Sequence, residues 1–249
     1  MNIYRGILTG YNEAFIIDEK TKNDLIFEDP KSAEIIRPIL RGRDIKRYSY
    51  EFADLWLINI HNGLKENGLK PIDINDYPIV KKHLDKSYSQ LSKRTDKGDT
   101  LYNLRNCAYM EDFYKQKIVY PNMTKFLPFY LDDKGFLQND KSFMIIGENI
   151  AYLTAFLNSS LFKYCFIDNF PELQGGTREL RKIFLDKIPV LQVSEKVNLE
   201  FEKRVMKLQE LFMNKLSTKQ MEIEIDEKIF DLYSLTEEER KIIGFIEIQ

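Results

Sequence analysis

The chain has 249 residues, 43% hydrophobic and 31% charged, which supports one large domain or a medium domain with an appendage and argues against disorder. Its formal net charge is −2, so no overall polycation points to nucleic acid, yet ten Lys/Arg face five Asp/Glu between Lys81 and Lys125, and nine face thirteen from Glu195 onward. Two cysteines (Cys107, Cys165) and two histidines exclude a zinc cluster or disulfide framework, and no run of about 18 apolar residues predicts a membrane span.

Taken along the chain, Arg5 to Asp18 reads as strand, turn, strand, with Gly6 and Gly10 flanking Ile7-Leu8-Thr9. Asp29-Pro30 opens a predicted helix to about Leu40, and Arg41-Gly42-Arg43-Asp44 is a turn. Leu55 to Ile60 barely alternates, which predicts a strand buried on both faces. After Asp76-Tyr77-Pro78 a helix is expected from Ile79 to Ser92, with Val80, Leu84, Tyr88 and Leu91 on its apolar side. Lys117 to Pro121 is a strand, Phe129 to Leu137 a hairpin around Asp132-Asp133-Lys134-Gly135, and Ser142 to Ile146 another strand. Ile150 to Asp168 has helical periodicity. Past Gly175-Gly176 the texture changes. Thr177 to Phe184 predicts a turn or two of helix, and Ile188-Pro189-Val190 is extended. Amphipathic helices are expected over Glu195–Ser217 and Met221–Tyr233, and Thr236-Glu237-Glu238-Glu239 is a capping box opening a last short helix. The fold class is therefore α+β: a mixed β-sheet domain with flanking helices over residues 1–190, then a helical C-terminal segment over 191–249.

Several chemistries are missing. There is no Gly-rich phosphate loop, no Gly-x-Ser-x-Gly elbow, no Asn/Asp-Pro-Pro-aromatic methyltransferase motif and no nuclease core. His61 and His83 have no nucleophile at suggestive spacing. The acidic run from Glu222 to Glu227 reads as the wet face of a helix. No catalytic residue, metal site or cofactor is expected on the chain, and Met1 is followed by no apolar signal core, so a cytoplasmic location is expected.

A set of short motifs runs nearly the whole length. They are Ile3-Tyr4-Arg5-Gly6-Ile7-Leu8-Thr9-Gly10-Tyr11-Asn12, Leu40-Arg41-Gly42-Arg43-Asp44-Ile45-Lys46-Arg47-Tyr48, and Val119-Tyr120-Pro121-Asn122 with Gly135-Phe136. Leu153 to Leu161 with its Leu157-Asn158-Ser159 centre follows, then Arg181-Lys182 with Ile188-Pro189-Val190, and finally Ile225 to Glu239. In this order they resemble the TaqI-like specificity domain of type IIG restriction–modification enzymes, which join an adenine methyltransferase, often with a nuclease, to a C-terminal target-recognition domain. The resemblance implies a non-catalytic module that holds a site on double-stranded DNA while the methyltransferase or nuclease portion of the parent enzyme acts. Residues 1–190 would be the target-recognition domain. The alternative is a protein-interaction or adaptor domain without DNA binding.

Duplex recognition needs cations for phosphates and forked or planar polar groups for base edges, carried on loops. The candidates are Lys93, Arg94, Lys97 and Arg105 in and after the polar Ser92–Thr100 loop, Asn122 and Lys125 after a strand end, and Gln174 and Arg178 around Gly175-Gly176. Arg41 and Arg43 are candidates of a different kind. A motif shared by proteins with different targets cannot read those targets, so scaffold or phosphate contact is the expectation there. The C-terminal helices are expected to be structural, packed on the first domain or on the rest of the parent enzyme.

Overall fold

The computed structural model describes residues 1–245. Its centre is an antiparallel sheet in the order β1 (Asn2–Arg5), β11 (Ser142–Ile146), β7 (Lys117–Pro121), β9 (Tyr130–Asp132). Strand side chains alternate faces, and here the two faces feed two different apolar clusters. Ile3, Ile118, Tyr120, Leu131 and Ile145 point to one. Tyr4, Val119, Tyr130 and Met144 point to the other. With oil on both sides, β7 is buried at every position, which is why Lys117 to Pro121 reads as an unbroken strand.

The first cluster is covered by helices: α5 (Ile150–Leu157), α6 (Ser160–Phe166), α8 (Glu195–Met213) and α9 (Lys219–Leu232), through residues such as Phe156, Phe201, Val205, Ile225 and Phe230. The C-terminal segment therefore shares a core with the sheet, and the composition change near residue 190 is not a break in packing. No extended strand follows Glu195 among the described residues. Helix α10 (Glu237–Ile243) carries the capping box read from Thr236 and Glu239. No single helix among the described residues is long and apolar enough to cross a membrane.

The second cluster is covered by a smaller sheet, ordered β10 (Leu137–Gln138), β3 (Ile36–Leu40), β6 (Leu55–Ile58), β2 (Ile16–Asp18). Around it lie α1 (Asn12–Phe15), α2 (Glu19–Glu28), α3 (Pro78–Asp85) and α4 (Tyr88–Lys93). A two-stranded ribbon joins β4 (Ile45–Lys46) to β5 (Ser49–Tyr50). A third, outlying sheet runs β12 (Glu172–Leu173), β13 (Thr177–Glu179), β8 (Met123–Thr124), with the short α7 (Lys182–Leu185) after it.

Several expectations are corrected. The first strand is Asn2–Arg5, and Ile7 makes only an isolated bridge to Asn139. The helix expected to reach Leu40 is a 3-10 turn, Pro30–Glu34, because Ile36 to Leu40 is drawn into the sheet and Pro38 would break a helix interior. The expected 129–137 hairpin does not pair with itself. The Asp132 carboxylate is fully buried, 2.5 Å from Lys117 Nζ, and accepts the Lys134 and Phe136 amides at 2.9 and 3.0 Å. The chain turns there and crosses to the second sheet, where Leu137 pairs in parallel with Ile39. Burial pushes the Asp132 carboxyl up and the Lys117 ammonium down, each opposed by the other's charge. The helix expected over Ile150–Asp168 breaks at Asn158, whose amide binds the Phe129 backbone at 2.7 and 3.2 Å, while Ser159 caps α6. The Ile79–Ser92 helix is likewise two pieces, and Thr177–Glu179 is strand, not helix.

Candidate nucleic-acid interface

The segment after α4 is built around Arg94. Its side chain turns inward, leaving the residue 7% exposed. The guanidinium donates to the carbonyls of Thr9, Asp96 (3.2 Å), Leu101 (3.0 Å) and Asn103 (2.5 Å). Its plane lies 4.5 Å from the Phe15 ring centre, and burial pushes its pKa down to about 10 against the pull of Asp96. This corrects the expectation for Arg94: both terminal amino groups are spent on folding the loop and the side chain is buried, leaving no fork for DNA. The loop closes on Gly10, at φ +71°, where a Cβ would sit 2.6 Å from the Asp96 carbonyl. Asn62 fastens the other side, accepting from the Asp99 amide at 2.8 Å and donating to the Leu104 carbonyl at 2.5 Å. On this pinned base Lys93 and Lys97 are exposed, and no ion-pair partner for either occurs among the described residues. Arg105, its side chain 61% exposed, pairs with Asp96 at 3.3 Å.

A second group forms around a different turn. Arg41 makes a fork-to-fork pair with the buried Asp44 (2.9 and 2.8 Å), whose carboxylate also accepts the Arg41 amide. Arg41 is thus scaffold. Arg43, on the other side of the turn, is exposed and its side chain has no partner among the described residues. Gly42 sits close against Lys141, whose carbonyl a Cβ would approach to 2.8 Å. The same carbonyl accepts from the Asn122 amide at 2.9 Å, and the Asn122 carbonyl accepts from Leu180 at 2.8 Å. Arg43, Lys141 and Asn122 are therefore neighbours. Lys125, just past β8, is exposed and has no ion-pair partner among the described residues. Thr124 opposes Arg178 in the outlying sheet. Arg178 is less free than expected: it donates to the Phe170 carbonyl at 2.8 Å and pairs with Asp168 and Glu172 at 2.9 and 3.3 Å. Gln174 is exposed at a turn where Gly175 and Gly176 have φ of +76° and +75°. A Cβ added to either glycine would meet nothing within 4 Å, so another molecule's backbone has room to approach.

The two groups are joined through Gly6, whose amide donates to Ser142 (2.9 Å), and through the Ile7 amide, which donates to Gln138 (2.7 Å). A Cβ on Gly6 would lie 2.0 Å from the Asn139 carbonyl. Buried Asn139 in turn accepts from the Gly42 and Lys141 amides at 3.3 Å. Sequence reasoning missed two cations in this junction. Arg5 pairs with Asp140 at 3.1 Å, and Lys141, 73% exposed, lies 3.5 Å from the same carboxylate. The signal was present as Gln138-Asn139-Asp140-Lys141, a turn-forming polar run between two apolar strands.

Several motif residues face inward. Arg47 pairs with Glu222 on α9 and donates to the Asn158 carbonyl at 2.9 Å. Tyr48 is buried, with its amide on the Phe129 carbonyl at 3.1 Å. Ser160 donates to Asp226 at 2.5 Å, and burial holds that carboxyl above its usual range against the pull of Ser160 and Arg47. Arg47, Tyr48 and Asn158 thus tie this segment to the Phe129 backbone and to α9, while Arg41 and Asp44 fix the turn itself. Of the two arginines in the Arg41–Asp44 turn, only Arg43 is left for an outside partner. Among the described residues no group of three or more His, Cys, Asp or Glu could hold a metal ion.

Comparison with known proteins gives two findings. Residues 37–190 match a family profile described as the TaqI-like C-terminal specificity domain. Among solved structures, the chain is similar to the Type IIL restriction-modification enzyme MmeI, solved in complex with DNA, at a TM-score of 0.70 and 13% identity over 94% of this chain. It spans 33% of the length of that enzyme, and at this identity the likeness is one of fold. No curated protein matches.

Proposed function

Because the chain belongs to the TaqI-like C-terminal specificity domain family, we propose that it recognises a base sequence in double-stranded DNA as the specificity module of a restriction–modification enzyme. Catalysis would lie in a methyltransferase or nuclease portion of the parent enzyme and not in this chain. One observation carries the reading. The motif residues Arg41, Asp44, Arg47 and Tyr48 are consumed inside the fold, while Lys93 at the end of α4 and Lys97 and Lys125 on loops stand exposed, with no ion-pair partner among the described residues. A recognition module needs that division. The frame stays common while loop side chains vary with the target.

Such a surface acts in two ways. Unpaired lysines neutralise phosphates and set register, releasing counterions. Arg43, which belongs to the shared turn, is placed with the phosphate contacts, and the Asn122 side-chain amide donates to Glu179 at 3.4 Å; Gln174, exposed beside the open Gly175-Gly176 turn, is the planar amide available for an adenine edge. The test is duplex binding by the full chain, measured by fluorescence anisotropy across salt, followed by selection from a randomised duplex pool. Steep salt dependence and an enriched sequence are expected. Ala at Lys97 or Lys125 should weaken all sequences alike, flattening the slope by about one unit each. Ala at Gln174 should relax preference at one position, at a cost of about 1–3 kcal/mol, if it reads a base. Absence of salt-sensitive duplex binding would reject the reading in favour of an adaptor that binds protein.

A further inference from the structure

Helices α3 and α4 carry an arrangement that meets the recognition loops only at its C-terminal end, through Lys93 and Lys97. The two are separated only by Lys86 and Ser87, and Ser87 still accepts the Gln90 and Leu91 amides at 3.0 Å, so the helical path nearly continues. Its inward stripe is Val80, Leu84, Ser87 and Leu91, with the three apolar members at 0% exposure. Residues two positions further on lie about 200° around a helix, on the opposite side. Those residues are Lys82, Lys86, Ser89 and Lys93, and all four are exposed. None of the three lysines has an ion-pair partner among the described residues. The flanking acid, Asp85, accepts the Tyr102 hydroxyl at 2.5 Å, and Lys81 on the other flank is held by Asn75 at 2.9 Å. The C-terminal end of the rail is anchored by Arg94, and the chain then passes directly to Lys97.

We propose that this lysine rail, Lys82–Lys86–Lys93 continuing to Lys97, is a phosphate-tracking surface that holds duplex DNA without regard to sequence, beside the loops that read bases. The proposal rests on the DNA-binding reading above. At 1.5 Å per residue the rail is about 16 Å long, and each strand of a duplex presents one phosphate per about 3.4 Å of axis, so it runs beside about five phosphates. The cations stand on the solvent side of an element whose other side is packed solid. They are therefore presented at fixed spacing, not on a mobile tail. A single-sign row without counter-charges is costly in self-repulsion, and a polyanion relieves it.

The experiment uses the full chain and a labelled 30-base-pair duplex of mixed sequence, with binding followed from low to moderate potassium chloride. The double variant Lys82→Gln/Lys86→Gln is compared with wild type and with Lys203→Gln, at an exposed lysine on α8 that has no ion-pair partner among the described residues. The expected result is a slope of log affinity against log salt that is shallower by about 0.9 per lysine removed. The sequence enriched from a randomised pool should be unchanged, and Lys203→Gln should match wild type. Wild-type binding with an unaltered slope in the double variant overturns the rail and leaves the specificity reading standing. A changed sequence preference in the double variant also overturns it, because the rail would then be reading bases. Wild-type protein that binds no duplex at any salt overturns both.

Discussion

Replacing Arg94 by Ala separates an inward role from an outward one. The guanidinium donates to four carbonyls, and a net value of about 1 kcal/mol per bond gives about 4 kcal/mol. Contact with the Phe15 ring adds about 1 kcal/mol, and release of a charge buried without a close carboxylate returns part of the total. A loss of about 3–4 kcal/mol follows, and in a chain of this size each kcal/mol lowers Tm by about 2–4 °C. Calorimetry should therefore show a drop of about 6–16 °C. Arg94→Lys should recover less than half of it, since an ammonium with three donors on one atom cannot span carbonyls set around a fork. Hydrogen exchange at Leu101 to Leu104 should accelerate in Arg94→Ala well before global unfolding. A variant that melts within about 2 °C of wild type while losing duplex affinity would refute this account and return Arg94 to the DNA-facing set.

Gly6→Ala would place a Cβ 2.0 Å from the Asn139 carbonyl, and the forced shift should cost about 1–3 kcal/mol by urea denaturation. Because Asn139 holds Gly42, duplex affinity should fall with it. Arg47→Ala leaves Glu222 buried without its counter-ion and should cost about 3–5 kcal/mol, whereas Arg47→Met with Glu222→Leu should recover most of that, a strongly non-additive cycle. His61 and His83 are both held below the usual 6.5, chiefly by burial, with Lys86 adding to the effect at His83. The unfolded chain then takes up these protons first as pH falls, so stability is full above about 6.5 and declines as pH drops from there toward the lower folded values. A His61→Gln/His83→Gln variant should show a smaller fall in urea midpoint than wild type as pH is lowered from about 7.5 to about 5.5.

Elements whose side chains fall into one clear period were legible from sequence. The strands Lys117–Pro121 and Ser142–Ile146 and the helices from Glu195 onward stand close to where their patterns put them. What escaped was decided by distant partners. Helix Glu19–Glu28 buries only Leu25, so its polar run carries no periodic signal. The strand Ile36–Leu40 follows a true helix-start signal at Asp29-Pro30 that stops after one 3-10 turn. Nothing local tells Asp132 that Lys117 will meet it in the core and send the following strand to another sheet. The site divides the same way. Exposure of Lys93, Lys97 and Lys125 followed from polar surroundings, but Arg94 looks identical in sequence and differs only through carbonyls up to 85 residues away. The Arg41–Asp44 pair lies within one turn, yet the sequence left Arg41 open between scaffold and phosphate contact, and the pairing is seen only in the structure; the proximity of Arg43 to Asn122 was not readable either, because it runs through Lys141.

The central sheet has a consequence for how the chain is made. Asn2 pairs with Ile146 and Arg5 with Phe143, so β1 has to wait for about 140 further residues before it finds its neighbour. Even then the helical face of the sheet stays open until Phe201, Ile225 and Phe230 arrive to cover Ile118, Tyr120 and Leu131. Contacts this remote in sequence make folding slow, and during synthesis a strand-rich apolar face is left bare for most of the chain's emergence. Shortening the chain anywhere before α9 would make that transient state permanent. Yields of soluble protein should therefore track the integrity of residues 195–232 more closely than that of any recognition loop.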